Sequence, residues 1–166
     1  MNVTLIGMAG AGKSYLGKKL AAELKYDLHD SDIELAKAWG KSIQSILDEI
    51  GEEKYLETEG DLAIRQTVGR DNLVISPAGS VVYVEKWMNH LRDCSKVIYL
   101  KIPFETVETR LHDVPPRAII GLGRKSLREL YQERHPLYEK GAHLTIDTHQ
   151  RDEKGVLAAI KEFLQS

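Results

Sequence analysis

Hydrophobic residues along this chain fall into short runs that alternate with longer stretches in which they recur every three or four positions. The short runs predict β-strands, and the longer stretches predict amphipathic helices. The predicted strands cover residues 2–6, 26–29, 72–76, 96–101 and 143–147. The predicted helices cover residues 14–25, 32–39, 42–50, 52–69, 83–92, 104–111, 125–138 and 152–165.

This alternation predicts an α/β fold. Strands separated by helices need crossover connections, so we expect a mainly parallel sheet with helices on both faces, which makes three α/β/α layers. No internal repeat or low-complexity linker interrupts the 166 residues, which indicates a single domain. Ligands of such sheets bind beyond the carboxyl ends of the strands, so residues 7–14, 30–32 and 76–80 should share one rim.

A glycine-rich motif directly follows the first predicted strand. Gly7, Gly12, Lys13 and Ser14 occupy the fixed positions of the P-loop pattern G-x-x-x-x-G-K-[ST], and a helical pattern follows, as that motif requires. The glycines let successive backbone N–H groups wrap a phosphate, the lysine adds a cation, and the serine hydroxyl can reach Mg²⁺. The sequence therefore predicts a nucleoside triphosphate site, with ATP and Mg²⁺ as its ligands. The predicted binding residues of the loop are Gly10, Ala11, Gly12, Lys13, Ser14 and Tyr15.

Two carboxylates follow the second predicted strand, in the segment Asp30-Ser31-Asp32. Such residues at a helix start serve either as helix caps or as active-site acids. Because the P-loop shares the same rim, we expect an active-site role. One carboxylate would hold Mg²⁺, and the other would orient or deprotonate an acceptor hydroxyl.

Residues 112–124 combine two prolines, two glycines and the cations Arg117 and Arg124. This composition predicts a lid that closes over the phosphate site, excludes water and adds positive charge. The alternative is a solvated loop between two helices.

Composition excludes several other classes of protein. A formal net charge of −2 argues against a nucleic-acid-binding surface. The apolar runs are too short to cross a bilayer and no signal segment is present, so we expect a cytoplasmic protein.

The single cysteine, Cys94, excludes an internal disulfide, and its sequence neighbours include no histidine, so we interpret it as a packing residue. The six histidines are dispersed without the spacing of transition-metal ligands.

Four segments together resemble the shikimate kinase family in order and spacing over nearly the whole chain. They are Gly7–Ser14, Asp30-Ser31-Asp32, Gly51-Glu52-Glu53 followed by Glu59, and Glu133-Arg134-His135-Pro136-Leu137-Tyr138. The resemblance implies phosphorylation of the 3-hydroxyl of shikimate by ATP. It also implies a nucleoside-monophosphate-kinase-like fold whose five parallel strands are ordered 2-3-1-4-5. A substrate-binding helical insertion would cover about residues 32–60, and the lid would cover about residues 112–124.

The same resemblance implies a role for each matching residue. Lys13, Asp32 and Arg117 would be catalytic. Ser14 and Asp30 would hold the metal, and Arg110 would pack against adenine. The substrate would contact Asp32, Glu59, Gly79, Arg117 and Arg134, of which Arg134 would bind its carboxylate.

The sequence departs from the family pattern at three places. Leu56 stands where the family has an arginine that grips the shikimate carboxylate and that pairs with the residue corresponding to Glu59. Pro77-Ala78-Gly79 replaces Gly-Gly-Gly, and the lid reads Arg-Ala-Ile-Ile at residues 117–120 where Arg-Pro-Leu is usual. Leu56, Pro77 and Ala78 together predict a more apolar pocket wall. Loss of one charge-assisted contact should weaken carboxylate binding about 10- to 100-fold.

Three functions therefore stay open at the level of sequence. The first is an ATP-dependent kinase of shikimate or a very similar cyclic hydroxy-acid. The second is a kinase of another small alcohol, such as a gluconate-type acid or a nucleotide-type acceptor. The third is a degenerate, non-catalytic nucleotide-binding protein, against which the intact Lys13, Ser14, Asp30 and Asp32 argue. In each case we expect a monomer with a small-molecule ligand and neither a nucleic-acid nor a membrane partner.

Overall fold

Five parallel strands form the centre of the molecule. The computed structural model describes residues 1–112 and 118–166. The strands are β1 (Asn2–Ile6), β2 (Asp27–Asp30), β3 (Leu73–Ser76), β4 (Ser95–Lys101) and β5 (Leu144–Asp147). The helices in the described residues are α1 (Lys13–Leu24), α2 (Ser31–Trp39), α3 (Ile43–Ile50), α4 (Glu52–Thr67), α5 (Glu85–Cys94), α6 (Phe104–His112), α7 (Leu127–Gly141) and α8 (Glu153–Gln165). Short 3₁₀ turns cover Gly79–Tyr83 and Thr148–Gln150.

The strand order is β2-β3-β1-β4-β5, and every neighbouring pair runs parallel. Both the α/β fold class and the order implied by the resemblance are confirmed. β1 takes the central position because all five of its residues are buried, as both faces of a covered parallel sheet require. Its polar members are paired: Thr4 Oγ1 lies 2.7 Å from Ser95 Oγ, and the Asn2 side chain donates to Arg70 O and accepts from Leu73 N.

A second, smaller apolar cluster lies apart from the sheet. It consists of Leu35, Ile46, Tyr55 and Ile120, so it joins α2, α3 and α4 to the segment that follows the undescribed residues. These are the helices of the predicted substrate-binding insertion. The cluster packs the helices of that insertion against one another, while the division of the chain into insertion, lid and core remains a prediction.

The structure shifts most of the predicted element boundaries by one to three residues. The second strand begins at Asp27 rather than residue 26, because Lys25 adopts a left-handed conformation (φ 59°) that ends α1 and turns the chain. His112, the first residue of the predicted lid, is the last residue of α6. No helix in the described part of the chain is long and apolar enough to span a membrane.

Cys94 has a histidine neighbour in space that the adjacent sequence positions do not show. His90 precedes it by one helical turn on α5, and His90 Nε2 lies 3.7 Å from Cys94 Sγ. Inspection of adjacent residues missed this pair because helix neighbours are separated by three or four positions. Burial raises the pKa of the Cys94 thiol and lowers the pKa of His90, so the pair is held neutral. The thiol is therefore not activated as a nucleophile.

Candidate active site

A cavity of about 1030 Å³ opens beyond the carboxyl ends of β1, β2 and β3. One part of its lining comes from the phosphate loop and α6, namely Ala9, Gly10, Gly12, Lys13, Ser14, Tyr15, Arg110 and Leu111. The other part comes from α2 to α4, the segment after β3, residues 118–120 and α7. It comprises Asp30, Asp32, Ser42, Ile43, Gln44, Tyr55, Ser76, Pro77, Ala78, Gly79, Ser80, Ala118, Ile119, Ile120 and Arg134. We call the second part the acceptor end.

The phosphate loop has the shape that its sequence predicts. Gly12 is the N-cap of α1 with φ 89°, a conformation that side-chain-bearing residues rarely adopt. A Cβ on Gly7 would lie 2.8 Å from the carbonyl oxygen of Leu100, so only glycine fits there. Lys13 is nearly buried, and its Nζ donates to the carbonyl oxygens of Gly7 (2.8 Å) and Met8 (3.0 Å). A cation and the positive end of α1 thus face the same space, as phosphate binding requires.

Ser14 and Asp30 meet at the metal position implied by the resemblance. Ser14 Oγ donates to Asp30 Oδ2 at 2.6 Å. The other oxygen of Asp30 accepts from Ile33 N at 3.4 Å, so Asp30 also caps α2. The sequence left cap and active-site acid as alternatives for this pair of carboxylates, and Asp30 occupies the cap position with one oxygen only. A hydroxyl and a carboxylate oxygen are hard ligands of the kind that Mg²⁺ prefers.

Asp32 lies in the first turn of α2, two residues beyond the cap. Its side chain is exposed and lines the cavity on the same rim as the phosphate loop. The start of a helix favours a carboxylate there electrostatically. Asp32 is therefore placed to meet a hydroxyl bound at the acceptor end, while its catalytic role stays a prediction.

Arg134 is the buried cation of the acceptor end, with 2% of its surface exposed. Its Nη2 donates to Ile120 O at 2.6 Å and its Nε donates to Tyr83 Oη at 3.2 Å. A Cβ on Gly79 would lie 3.3 Å from Arg134 Nη1, so glycine leaves this nitrogen its space. The Tyr138 hydroxyl donates to Gly79 O at 2.6 Å and holds this wall in place. The arrangement can bind a carboxylate, since guanidinium groups match that geometry.

The other residues predicted to bind the nucleotide, Arg110, Tyr15 and Ala11, differ in whether they reach the cavity. Arg110 Nη1 donates to Gly10 O at 2.7 Å, which holds α6 against the phosphate loop. Tyr15 lines the cavity, but its hydroxyl donates to Glu153 Oε2 on α8 at 2.7 Å. Ala11 is buried outside the cavity lining, and its N–H donates to Met8 O. The structure therefore does not bring Ala11 to the predicted ligand surface.

Two residues predicted for the acceptor wall do not line the cavity. Leu56 does not line the cavity, because it packs against the second apolar cluster, and Tyr55 lines the wall instead. Glu59 is also absent from the lining and is only 1% exposed, so its contact with the substrate stays a prediction. Arg117, the predicted lid arginine, lies outside the described residues.

Several wall residues were not predicted from the sequence. Ser42, Ile43 and Gln44 at the start of α3 line the cavity together with Tyr55 and residues 118–120. The start of α3 carried no motif that could have marked it. Tyr55 directly precedes Leu56 in the sequence, so the departure from the family pattern at Leu56 pointed to this part of α4.

Glu52 joins the predicted lid to the insertion. Its Oε1 accepts from Gly121 N at 3.0 Å, and its Oε2 accepts from Arg124 Nη2. Both partners belong to the predicted lid. These contacts hold residues 118–121 over the acceptor end, which is where a lid excludes water.

The fold and this site define a P-loop small-molecule kinase of the α/β class. The shikimate kinase family model matches residues 9–165. The shikimate kinase of Francisella philomiragia is 32% identical over 165 residues, which cover 98% of this chain and 94% of the relative. The shikimate kinase of Persephonella marina is 34% identical over 147 residues, covering 89% and 88% of the two chains. The chain belongs to the shikimate kinase family.

A solved structure agrees with this assignment. The shikimate kinase from Acinetobacter baumannii in complex with shikimate superimposes with a TM-score of 0.86. It is 29% identical and covers 99% of this chain and 92% of its own. The resemblance stated from the motifs is thereby confirmed over nearly the full length.

We expect ATP binding to depend on Lys13. Replacing Lys13 by alanine removes the cation from the phosphate loop, so ATP affinity in the presence of Mg²⁺ should fall about 10- to 100-fold, the value of a charge-assisted contact. Isothermal titration measures it. Lys18→Ala, an exposed change on the same helix, is the matched control and should bind ATP normally. Equal affinity in the two folded variants would contradict the assignment.

The pH dependence of stability should reveal the burial of Glu59. Burial, with further contributions from Asp32 and Asp30, raises the pKa of Glu59 from 4.5 to about 8. Between these values the unfolded chain has lost a proton that the folded protein keeps, so this group lowers stability progressively as the pH rises. Glutamine does not titrate. The melting temperature of Glu59→Gln relative to wild type should therefore increase by about 3 °C or more between about pH 5 and pH 8.

The exposed Glu57 on the same helix gives the control for that measurement. The Glu57→Gln variant should show no such trend with pH. If the two variants follow the same trend, Glu59 is ionised in the folded protein.

Proposed function

We propose that this protein transfers the γ-phosphoryl group of ATP to a hydroxyl of shikimate. The observation that carries the proposal is the position of Asp32 and Arg134 in one cavity that continues to the phosphate loop. Asp32 offers a base for a hydroxyl, and Arg134 offers a guanidinium for a carboxylate. Membership of the shikimate kinase family supports the choice of acceptor.

In this proposal each group of cavity residues has its own role in phosphoryl transfer. Lys13 binds the phosphate oxygens after leaving the carbonyl groups of Gly7 and Met8. Asp32 orients the acceptor hydroxyl and receives its proton, as an aspartate does in phosphoryl transfer. Mg²⁺, held by Ser14 and Asp30, would neutralise charge on the phosphate oxygens when bound. Arg134 holds the acceptor by its carboxylate, and residues 118–120 exclude water.

The composition of the acceptor end also supports a second candidate for the substrate. Leu56 provides no guanidinium, and Arg134 is the arginine of the described residues that lines this end. An acceptor that needs one guanidinium rather than two would fit as well. The second candidate is therefore another small hydroxy-acid, with gluconate-type acids as examples. For either acceptor the proposal takes the enzyme to be a cytoplasmic monomer.

A coupled assay of ADP release across a panel tests the proposal. The panel contains shikimate, gluconate and uncharged polyols, each at several concentrations. The proposal requires the highest kcat/KM on shikimate. A higher value on another hydroxy-acid would select the second candidate, and ADP release from none of them would overturn both.

Replacing Asp32 by asparagine should separate chemistry from nucleotide binding. The change keeps size and hydrogen bonding but removes the base, so kcat should fall about 10²- to 10⁴-fold with little change in ATP affinity. Glu34→Gln, on the same helix turn, is the control and should keep kcat near wild type. A loss of ATP affinity without a loss of kcat would instead make Asp32 a metal or structural residue.

Restoring the family arginine should reveal how far the site has diverged. On α4, position 56 lies three residues before Glu59, so the longer side chain of Leu56→Arg can reach that carboxylate. We expect KM for shikimate to fall about 10- to 100-fold if shikimate binds where its carboxylate can meet this arginine. Leu56→Met keeps the apolar packing and is the control. An unchanged kcat/KM on shikimate would favour a different acceptor.

A further inference from the structure

The carboxyl group of Glu59 lies behind the acceptor wall without the arginine that family members place beside it. Its Oε1 accepts a hydrogen bond from Ser31 Oγ at 3.3 Å, and its Oε2 is buried with no hydrogen-bond partner among the described residues. Leu56 stands at the arginine position. Because Glu59 does not line the cavity, and because Leu56 replaces its family arginine partner, its role should differ from binding the substrate or orienting that arginine.

Ser31 connects this acid to the acceptor wall. Its hydroxyl oxygen accepts from Ala78 N at 3.0 Å, and the same hydroxyl donates to Glu59 Oε1. A hydrogen-bond chain therefore runs from the segment after β3, through the start of α2, to the middle of α4. Pro77 has no N–H, so Ala78 carries the first backbone donor beyond β3. Because one hydroxyl donates once, the direction of this chain is fixed by the Ala78 N–H.

The chain passes directly between the two aspartates of the site. Ser31 is 3% exposed and is flanked by Asp30, which meets Ser14, and by Asp32, which lines the cavity. A displacement of Ser31 would move Asp32 with it, since both belong to the first turn of α2. It would also release Ala78 from the wall. The spacing between Asp32 and the wall is thus set by an atom that Glu59 holds.

We propose that Glu59 is a positioning residue that acts through Ser31, fixing Asp32 and the Ala78 segment relative to each other without an arginine partner. The role needs only an acceptor atom at Oε1, so charge is not required. Burial raises the pKa of Glu59, so the neutral acid predominates at neutral pH. This protonation state agrees with a role that requires no charge. Ionisation would leave an uncompensated charge near Asp32 and Asp30, which is the costlier alternative.

Variants that keep or remove the acceptor atom test the proposal by activity, which rests on the proposed function. Glu59→Gln retains a carbonyl oxygen for Ser31 and should keep kcat and acceptor KM within about threefold of wild type at neutral pH. Glu59→Leu and Ser31→Ala break the chain and should lower kcat/KM for the acceptor about five- to tenfold, with ATP affinity unchanged. Glu57→Gln on the same helix is the control. Equal losses in the Gln and Leu variants would overturn the proposal, as would a parallel loss of ATP affinity.

Hydrogen exchange at the Ala78 amide gives a readout that needs no turnover. Exchange should be slow in wild type and Glu59→Gln, and at least about fivefold faster in Glu59→Leu and Ser31→Ala. Unchanged exchange in folded Ser31→Ala would overturn the proposal. If wild type phosphorylates no acceptor, the proposed function fails, and the exchange rates still decide whether Glu59 positions the wall.

Discussion

The parallel pairing of β1 with both β3 and β4 is the constraint on which the site depends. It brings the end of β1 beside the ends of its two neighbours, so backbone groups from three strands crowd one edge of the sheet. A Cβ on Gly7 would lie 2.8 Å from Leu100 O, and a Cβ on Gly79 would lie 3.3 Å from Gly7 O. Glycine at both positions lets the phosphate loop and the acceptor wall share this edge. The cavity is therefore a consequence of strand order rather than of any single loop.

Asp30 contributes both to the stability of α2, the first helix of the insertion, and to the geometry of the phosphate site. One of its oxygens caps α2 and the other accepts from Ser14 on α1. A carboxylate bound on both sides keeps one orientation, so α1 and α2 are fixed relative to each other at the place where the proposed function requires Lys13 and Asp32 to act together. Asp32 lies in the first turn of α2 and lines the cavity. In the proposed function the two aspartates of this short segment therefore have different roles: Asp30 caps α2 and would hold the metal, and Asp32 would meet the acceptor hydroxyl.

The sequence predicted what depends on local pattern and missed what depends on packing between elements. The phosphate loop was predictable because its fixed residues and flanking elements are contiguous. Strand order came only from the resemblance, since periodicity does not say which strands are neighbours. The position of Leu56 and Glu59 off the cavity lining was not predictable from local pattern, because it depends on how α4 packs: Leu56 contacts the second apolar cluster and Glu59 is buried. The His90 and Cys94 contact was missed for the simpler reason that it follows helical rather than adjacent spacing.

The loss of the family arginine is balanced electrostatically at the acceptor end. With arginine at position 56, Glu59 would be ionised and the pair would carry no net charge. With Leu56, burial raises the pKa of Glu59 to about 8, so the carboxyl group is mostly neutral at neutral pH and the net charge is again zero. Arg134 remains at the acceptor end as a guanidinium that can attract a carboxylate. What the site loses is one set of directed hydrogen bonds, so the change should affect affinity and orientation of the acceptor more than the sign of its charge.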